Sequence, residues 1–374
     1  MLGGFLPHHF FSFSGSARGG LATPVTSTPA ANLAPDGASL APGPPASSTP
    51  APSVGPTPAP VAAATPTPVR TPQPASPVAS PSAGATPTPA PLPLSALPPA
   101  LRGLFVAAPV SGLSCQPPPP DDYASCRFTE SSGLSMTFYL FLPQSFDPAR
   151  RYPLVLLLEG GGERADATNT PEQNREKLLS DPYAAVWGPG VTIPDAPQVQ
   201  RGHPSFVVIP QVPAPQFYMS VPANTGSYTL APLPTDALRT AKEIVDALQQ
   251  AVAQVDPDRL YVTGLSMGGY GAWEMIERYP GYFAAAAPIC GGGDPSLAVR
   301  LVDLPIWAFH SADDPIVPVQ ATRDMIAAIE AAGGQPRYTE FTDAGHGAWV
   351  PAYGIGGLPS PVADFYDWLF AQHK

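Results

Sequence analysis

The 374-residue sequence predicts an α/β fold with a mostly parallel central sheet and helices on both faces, preceded by a disordered Pro/Ala/Thr-rich segment. Three observations lead there. Composition changes sharply near Asp121; beyond it, apolar runs of strand length alternate with stretches of helical period; and the connections are short, as right-handed βαβ units require.

The segment before that break cannot pack. Of the 76 residues from Pro24 to Pro99, 23 are proline, most others are Ala, Thr, Ser, Val or Gly, and only Asp36 and Arg70 are charged. Proline removes backbone donors, and short side chains bury too little apolar area to offset chain entropy. Repeats such as Thr65-Pro-Thr-Pro68 suit an extended, polyproline-like stalk. The chain therefore divides into an N-terminal segment of open character (1–23), a linker (24–100), a segment leading into the domain (101–127) and one domain (128–374).

Within the domain, 134–142 and 152–158 read as strands, the second apolar throughout, as a strand covered on both faces would be. Ser205–Pro210 is another. Thr235 opens a helix whose Leu238, Ala241, Val245, Leu248, Val252 and Val255 make one apolar stripe, closed by Asp256-Pro-Asp258. Then come a short strand (260–263), a helix (268–278), strands at 282–289 and 304–309, a helix from Val319 to Ala332, a strand at 337–341 and a closing helix from Pro361 to Gln372.

Charge and cysteine content exclude several classes. Three of the 18 basic and one of the 29 acidic side chains precede residue 121, which leaves the rest a net charge of −13. Such a surface repels phosphate backbones and anionic headgroups, so nucleic acid is not an expected partner. No stretch approaches the ~18 continuous apolar residues of a membrane span. Residues 1–20 lack a basic start and are interrupted by Pro7, His8 and His9, so they do not read as a signal peptide. Secretion or cell-surface attachment is expected from the linker alone. Cys115 and Cys126 flank a Pro-rich turn and either close a small loop in an oxidising compartment or stay reduced. Cys290 follows an apolar run and reads as a buried small hydrophobe.

The chemistry-bearing motif is Gly264-Leu-Ser266-Met-Gly268, set between a strand and a helix. A serine at so tight a turn is strained, and flanking glycines let strand and helix approach without Cβ clashes. A hydroxyl nucleophile needs a base, and the base needs a carboxylate to orient it. Of the six histidines, His310 and His346 follow Ser266 at strand ends; His346, in the glycine-flanked loop Gly345-His346-Gly347, is the better base, able to swing over the serine, and His310 reads as structural. The acid loop offers Asp313 and Asp314; Pro315 fixes the backbone after Asp314, which is favoured, while Asp313 faces solvent or caps the turn. After Leu158, Glu159-Gly160-Gly161-Gly162 is a glycine loop suited to an oxyanion, with Gly161 or its neighbour and Met267 as backbone N–H donors. Trp349, Phe217, Tyr218 and Trp187 are candidates to line a substrate pocket.

Assembled, these residues resemble the α/β-hydrolase group known as predicted peptidases or phospholipase/carboxylesterase-like enzymes, relatives of feruloyl and acetyl-xylan esterases, polyhydroxyalkanoate depolymerases and dienelactone hydrolases. The likeness runs from about Phe128 to the C-terminus. It is carried by Tyr152-Pro-Leu-Val-Leu156 with its Gly-Gly-Glu-Arg loop, Val207-Val-Ile-Pro-Gln211, Val255 to Gly271, Ala287 to Asp294, Asp313-Asp-Pro-Ile-Val-Pro318 and Gly345-His346 with Trp349 following. The resemblance implies a triad of Ser266, Asp314 and His346 and no metal or organic cofactor. Hydrolysis of a small or polymeric carboxylic ester is the expected activity, the polymeric substrate being suggested by the linker, with a peptidase or a non-catalytic binding module as alternatives. Two positions depart from the group: Glu159-Gly160 stands where His-Gly usually opens the oxyanion loop, and His310-Ser311 where His-Gly precedes the acid loop. Glu159 matters more, because a carboxylate beside an oxyanion opposes it unless the side chain turns away to a partner such as Arg164. Oligomeric state is not legible in the sequence.

Overall fold

A computed structural model describes residues 90–106, 110–131, 133–189, 198–355 and 364–374. Most of the linker segment and all of 1–23 lie outside the described residues. The strands are β1 (Leu113–Cys115), β2 (Ala124–Thr129), β3 (Ser135–Phe141), β4 (Tyr152–Leu158), β5 (Phe206–Gln211), β6 (Val255–Leu265), β7 (Ala285–Ile289), β8 (Trp307–Ser311) and β9 (Arg337–Phe341). The helices are α1 (Pro99–Val106), α2 (Pro171–Leu179), α3 (Pro182–Trp187), α4 (Val199–Gly202), α5 (Asp236–Ala251), α6 (Met267–Arg278), α7 (Gln320–Ala331), α8 (Trp349–Ala352) and α9 (Phe365–Phe370).

All nine strands form one sheet in the order β1-β2-β3-β5-β4-β6-β7-β8-β9. Pairing is antiparallel from β1 to β5 and parallel from β5 through β4 to β9. β4 shows why its sequence is unbroken apolar: Leu154, Leu156 and Leu158 pack into one core layer with α5 and α6, whereas Val155 and Leu157 enter the other with α3 and α9. A strand buried on both faces has no polar side to alternate. The order of strands reverses across β4: the chain steps outward to β5, then returns to β6 on the other side. The ends of β4 and β6 therefore flank a crevice at a topological switch point, where open α/β sheets place their ligands.

The alternation read from the sequence is present, with informed differences. The helix from Thr235 is capped as expected, its hydroxyl accepting from the Leu238 N–H, but it stops at Ala251. Val252 is extended, and Val255, counted on the apolar stripe, instead opens β6 opposite Tyr152. Residues 101–127, read only as leading into the domain, supply β1 and β2, and Cys115 and Cys126 face each other across those strands in a disulfide. The predicted final helix begins at Phe365, residues 361–363 lying outside those described. Among the described residues no helix is long and apolar enough to cross a membrane.

The disulfide joins residues 11 apart. Chain-entropy arguments give such a cross-link about 3 kcal/mol of stabilisation. The double substitution Cys115→Ser/Cys126→Ser should lower the unfolding free energy by that order, read as a lower denaturant midpoint; an unchanged midpoint would refute it.

Candidate active site

Ser266 sits between β6 and α6 with φ 54° and ψ −113°, a left-handed region that β-carbon-bearing residues avoid. What forces it there is the closeness of the surrounding backbone. A Cβ at Gly268 would lie 2.0 Å from the Leu158 carbonyl oxygen, one at Gly264 2.4 Å from the Gly268 carbonyl oxygen, and one at Gly269 2.1 Å from that of Ile289. The ends of β4, β6 and β7 and the first turn of α6 thus meet main chain to main chain. The Ser266 N–H donates to the Ile289 carbonyl at 3.0 Å, which fixes the turn to β7. Met267 is the first residue of α6, so its N–H belongs to the set that intrahelical bonding leaves free.

The loops after β8 and β9 bring the other two residues. His346 Nε2 lies 2.9 Å from Ser266 Oγ, and its Nδ1 lies 2.8 and 3.0 Å from the two carboxylate oxygens of Asp314. The Asp314 side chain is fully enclosed and also accepts from the N–H groups of Ile316 and Val317 at 2.8 and 2.9 Å. Burial works to raise its carboxyl, but the hydrogen bonds from His310, His346 and Val317 outweigh it and hold the group well below the usual carboxylate range. With the carboxylate on Nδ1–H, His346 turns a bare Nε2 toward the serine hydroxyl.

Asp313 is exposed, as one of the two readings had it, and it also braces the neighbouring loop. Its Oδ1 accepts from Ser311 Oγ at 2.6 Å and from the Gly345 N–H at 2.9 Å, while Ser311 Oγ accepts from the Ala344 N–H at 3.0 Å. The acid loop thereby contacts the loop that carries His346, which forms a short 3-10 turn (Gly345–Gly347). Ser311, at a position where the resembling group carries glycine, supplies one of those contacts. No sequence signal distinguished Asp313 and Ser311 from other loop residues, because their partners in the His346 loop lie 32 and 33 positions away.

Glu159, flagged as a threat to an oxyanion, is completely buried and turned away. Its partners are the Tyr218 hydroxyl and the Val212 N–H, the latter at 2.6 Å. Arg164 is not that partner: its Nε donates to the Gly161 carbonyl at 2.9 Å, its Nη1 to the Gln216 carbonyl at 3.0 Å, and its guanidinium covers the Phe217 ring at 3.9 Å. Burial pushes the Glu159 carboxyl up to about 8, against the lowering effect of Tyr218 and Val212. Below that pH it is mostly neutral. Glu163 behind Gly160 is raised by burial in the same direction, to about 7.

The four aromatic candidates separate cleanly. Trp349 stands perpendicular to the His346 ring at 5.6 Å, and Phe217 is exposed beside the Gly161 loop under Arg164. Trp187 and Tyr218 are corrected: both are fully buried, Trp187 in an aromatic cluster with Tyr353, Phe365 and Tyr366, and Tyr218 on Glu159. Neither can line a pocket, because neither has surface to offer. A cleft of about 790 Å³ lies at the antiparallel end of the sheet, lined by Thr137, Asn174, Arg175, Gln211 and Ala165 among others, and none of Ser266, Asp314 and His346 is on its wall.

Among the described residues, Cys290, His310 and Asp314 bring one potential ligand atom each within 4.8 Å of one another. They do not fit a metal. Both ring nitrogens of His310 are engaged by protein groups, Asp314 is held by His346, and burial followed by the Asp314 charge pushes the Cys290 thiol up, away from the thiolate that metals require.

Comparisons with known proteins agree with this architecture. The esterase family profile, described as “Putative esterase”, matches residues 129–344. The chain is 28% identical over 186 residues to the protein named “Putative esterase NocK” of Nocardia uniformis subsp. tsuyamanensis, which covers 49% of this chain and 46% of that one. It is 49% identical over 51 residues, 14% of this chain and 12% of the other, to poly(3-hydroxyalkanoate) depolymerase C of Paucimonas lemoignei. The chain thus spans less than half the length of these curated relatives. A solved thermostable esterase superposes with a TM-score of 0.57 at 34% identity, covering 68% of this chain and 64% of its own.

Two expectations follow from the geometry. Gly268→Ala must push a methyl into backbone and should destabilise by about 3 kcal/mol or more, whereas Gly161→Ala, with nothing within 4 Å of the added carbon, should stay within about 0.5 kcal/mol of wild type by denaturant titration. For Glu159, the folded state keeps its proton up to about pH 8 while an unfolded glutamate releases it near its ordinary value. The native state then binds the extra proton between those limits, so stability falls as pH rises through them. The decline in Tm from pH 5 to pH 9 should be shallower in Glu159→Gln than in wild type; equal slopes would count against it.

Proposed function

We propose that this chain, which belongs to the esterase family of the α/β-hydrolase superfamily, hydrolyses carboxylic esters through an acyl-enzyme on Ser266. The observation that carries the reading is the unbroken line of hydrogen bonds from Ser266 Oγ through His346 to Asp314, at 2.9 and 2.8 Å. His346 Nε2 takes the hydroxyl proton as Ser266 Oγ bonds to the ester carbonyl carbon, and Asp314 stabilises the imidazolium that forms. The carbonyl oxygen gains the charge and is met by the N–H groups of Met267 and Gly161. As the tetrahedral intermediate collapses, the carbon–oxygen bond to the leaving alcohol breaks and His346 returns its proton to that oxygen. Water then repeats the sequence, with His346 as base, releasing the acid and restoring Ser266.

The Glu159 departure is compatible with turnover in this scheme: near neutrality the side chain is mostly uncharged and points to Tyr218 and Val212. Trp349 beside His346 and Phe217 beside the Gly161 loop are the aromatic groups positioned to meet the substrate. A polymeric, extracellular ester is the substrate class we favour. The Pro-rich stretch fits a stalk, the Cys115–Cys126 bond fits an oxidising compartment, and one relative bears the name of a polyester depolymerase. The large cleft reaches Ala165, four residues and so at most about 14 Å of chain from Gly161, close enough to hold a longer substrate.

Labelling with a fluorophosphonate reports an activated serine directly. Wild type should label and should turn over nitrophenyl esters in preference to peptide amides. Ser266→Ala should label not at all and lose about 10⁴-fold or more in kcat. Undiminished turnover by that variant would sink the proposal, and faster cleavage of amides than esters would move it to a peptidase.

A further inference from the structure

Building on that reading of Asp314, we infer that His310 is a positioning residue of the active site, a second imidazole whose Nε2, bonded to the Val317 carbonyl, also contacts the carboxylate that orients His346. His310 occupies the fourth position of β8, fully buried. Its Nε2 lies 3.1 Å from the Val317 carbonyl oxygen and 3.3 Å from Asp314 Oδ2. Neither partner carries a hydrogen to give, so the hydrogen sits on Nε2 whatever the state of Nδ1. Asp314 Oδ2 is therefore approached by two imidazoles, His346 Nδ1 at 2.8 Å and His310 Nε2 at 3.3 Å.

The other ring nitrogen fixes the orientation. His310 Nδ1 is 2.7 Å from Thr322 Oγ1 on α7, and that hydroxyl is 2.7 Å from the Gly291 carbonyl oxygen. Rotating the fully buried ring would break its contacts with Thr322, Val317 and Asp314, at a cost typical of buried unsatisfied groups. The chain of contacts also closes on itself. A Cβ at Gly291 would lie 2.3 Å from the Gly269 carbonyl carbon, so Thr322 ties His310 to backbone that rests against the first turn of α6, three residues after Ser266. One buried imidazole thus links the acid loop to the nucleophile's turn. What sets His310 apart from a satisfied core histidine is that its Nε2 also lies 3.3 Å from the Asp314 carboxylate.

Amide replacements separate positioning from filling. The nitrogen of a glutamine side chain reaches the place of Nε2, whereas that of asparagine reaches the place of Nδ1. His310→Gln should keep kcat for a small nitrophenyl ester within about 5-fold of wild type. His310→Asn should lose about 10- to 100-fold, the scale seen when an outer partner of a site group is removed, with KM changed less than about 3-fold. Losing the donor makes the carboxylate a stronger acceptor for His346, so the acid limb of the kcat/KM profile should move to higher pH in His310→Asn and stay in place in His310→Gln. The titratable groups that face this cluster are Asp314, His346, Cys290, Tyr270 and Glu340 of β9, the last paired with Arg323. Thr322→Val removes the hydroxyl from Nδ1 and should shift the same limb in the same direction, with a 3- to 10-fold loss in kcat.

Equal turnover by folded Gln and Asn variants, with an unmoved acid limb, would overturn the inference. Should His310→Asn fail to fold, the acid limb of Thr322→Val decides, and an unmoved limb there overturns it. Ser266→Ala in the same assay keeps the two readings apart: if it abolishes turnover while the His310 variants behave alike, only the inference about His310 fails.

Discussion

Everything at the site hangs on backbone packed against backbone where β4, β6, β7 and α6 meet. Approaches of about 2 Å from would-be Cβ atoms to carbonyl groups leave room for nothing larger than hydrogen at Gly264, Gly268 and Gly269. That contact pins the strained Ser266 between a strand and a helix terminus, and it sets the Glu159–Gly161 loop beside it, since the Gly268 position abuts both the Leu158 and Glu159 carbonyls. The hydrophobic layers on both faces of β4 supply the force that holds these backbones together: each fully buried Leu or Val contributes about 1.5–3 kcal/mol. Strain at one residue is tolerable because so many neighbours over-determine it.

Around that fixed turn, the polar groups form two linked sets with different charge logic. Asp314 collects donors until its carboxylate is stabilised in spite of burial, and so it can hold an imidazole in one orientation. Glu159 has fewer donors and no cation on its oxygens, and burial wins, which keeps it mostly neutral near pH 7. Two acids a short distance from the same chemistry are thus sorted into opposite states by the number of N–H and O–H groups aimed at them.

The sequence made the parallel half of the sheet legible because its strands are apolar throughout, and it made Ser266, Asp314 and His346 legible because each lies at a strand end beside glycine or proline. β1 and β2 were hidden: Leu113–Cys115 is three residues long beside a tetraproline run, and Ala124–Thr129 carries Arg127 on its open side. Val255 was misassigned because one apolar residue suits a helix stripe and a strand start equally. Trp187 and Tyr218 show the limit for aromatics, whose size says that they bury area and not which cavity they fill. Glu159 was illegible for another reason: its partners Val212 and Tyr218 come from a loop more than 50 residues further on.

The hydrogen bonds that Ser311 and Asp313 accept from the N–H groups of Ala344 and Gly345 have a kinetic consequence. A glycine-flanked loop left free would sample many arrangements, and each catalytic cycle would have to wait for the one in which the imidazole meets the serine. Two hydrogen bonds to the acid loop reduce that range when the chain folds. In the proposed reaction, what approaches the serine would encounter a base already in register, and the entropy of aligning the reacting groups would fall on the incoming molecule.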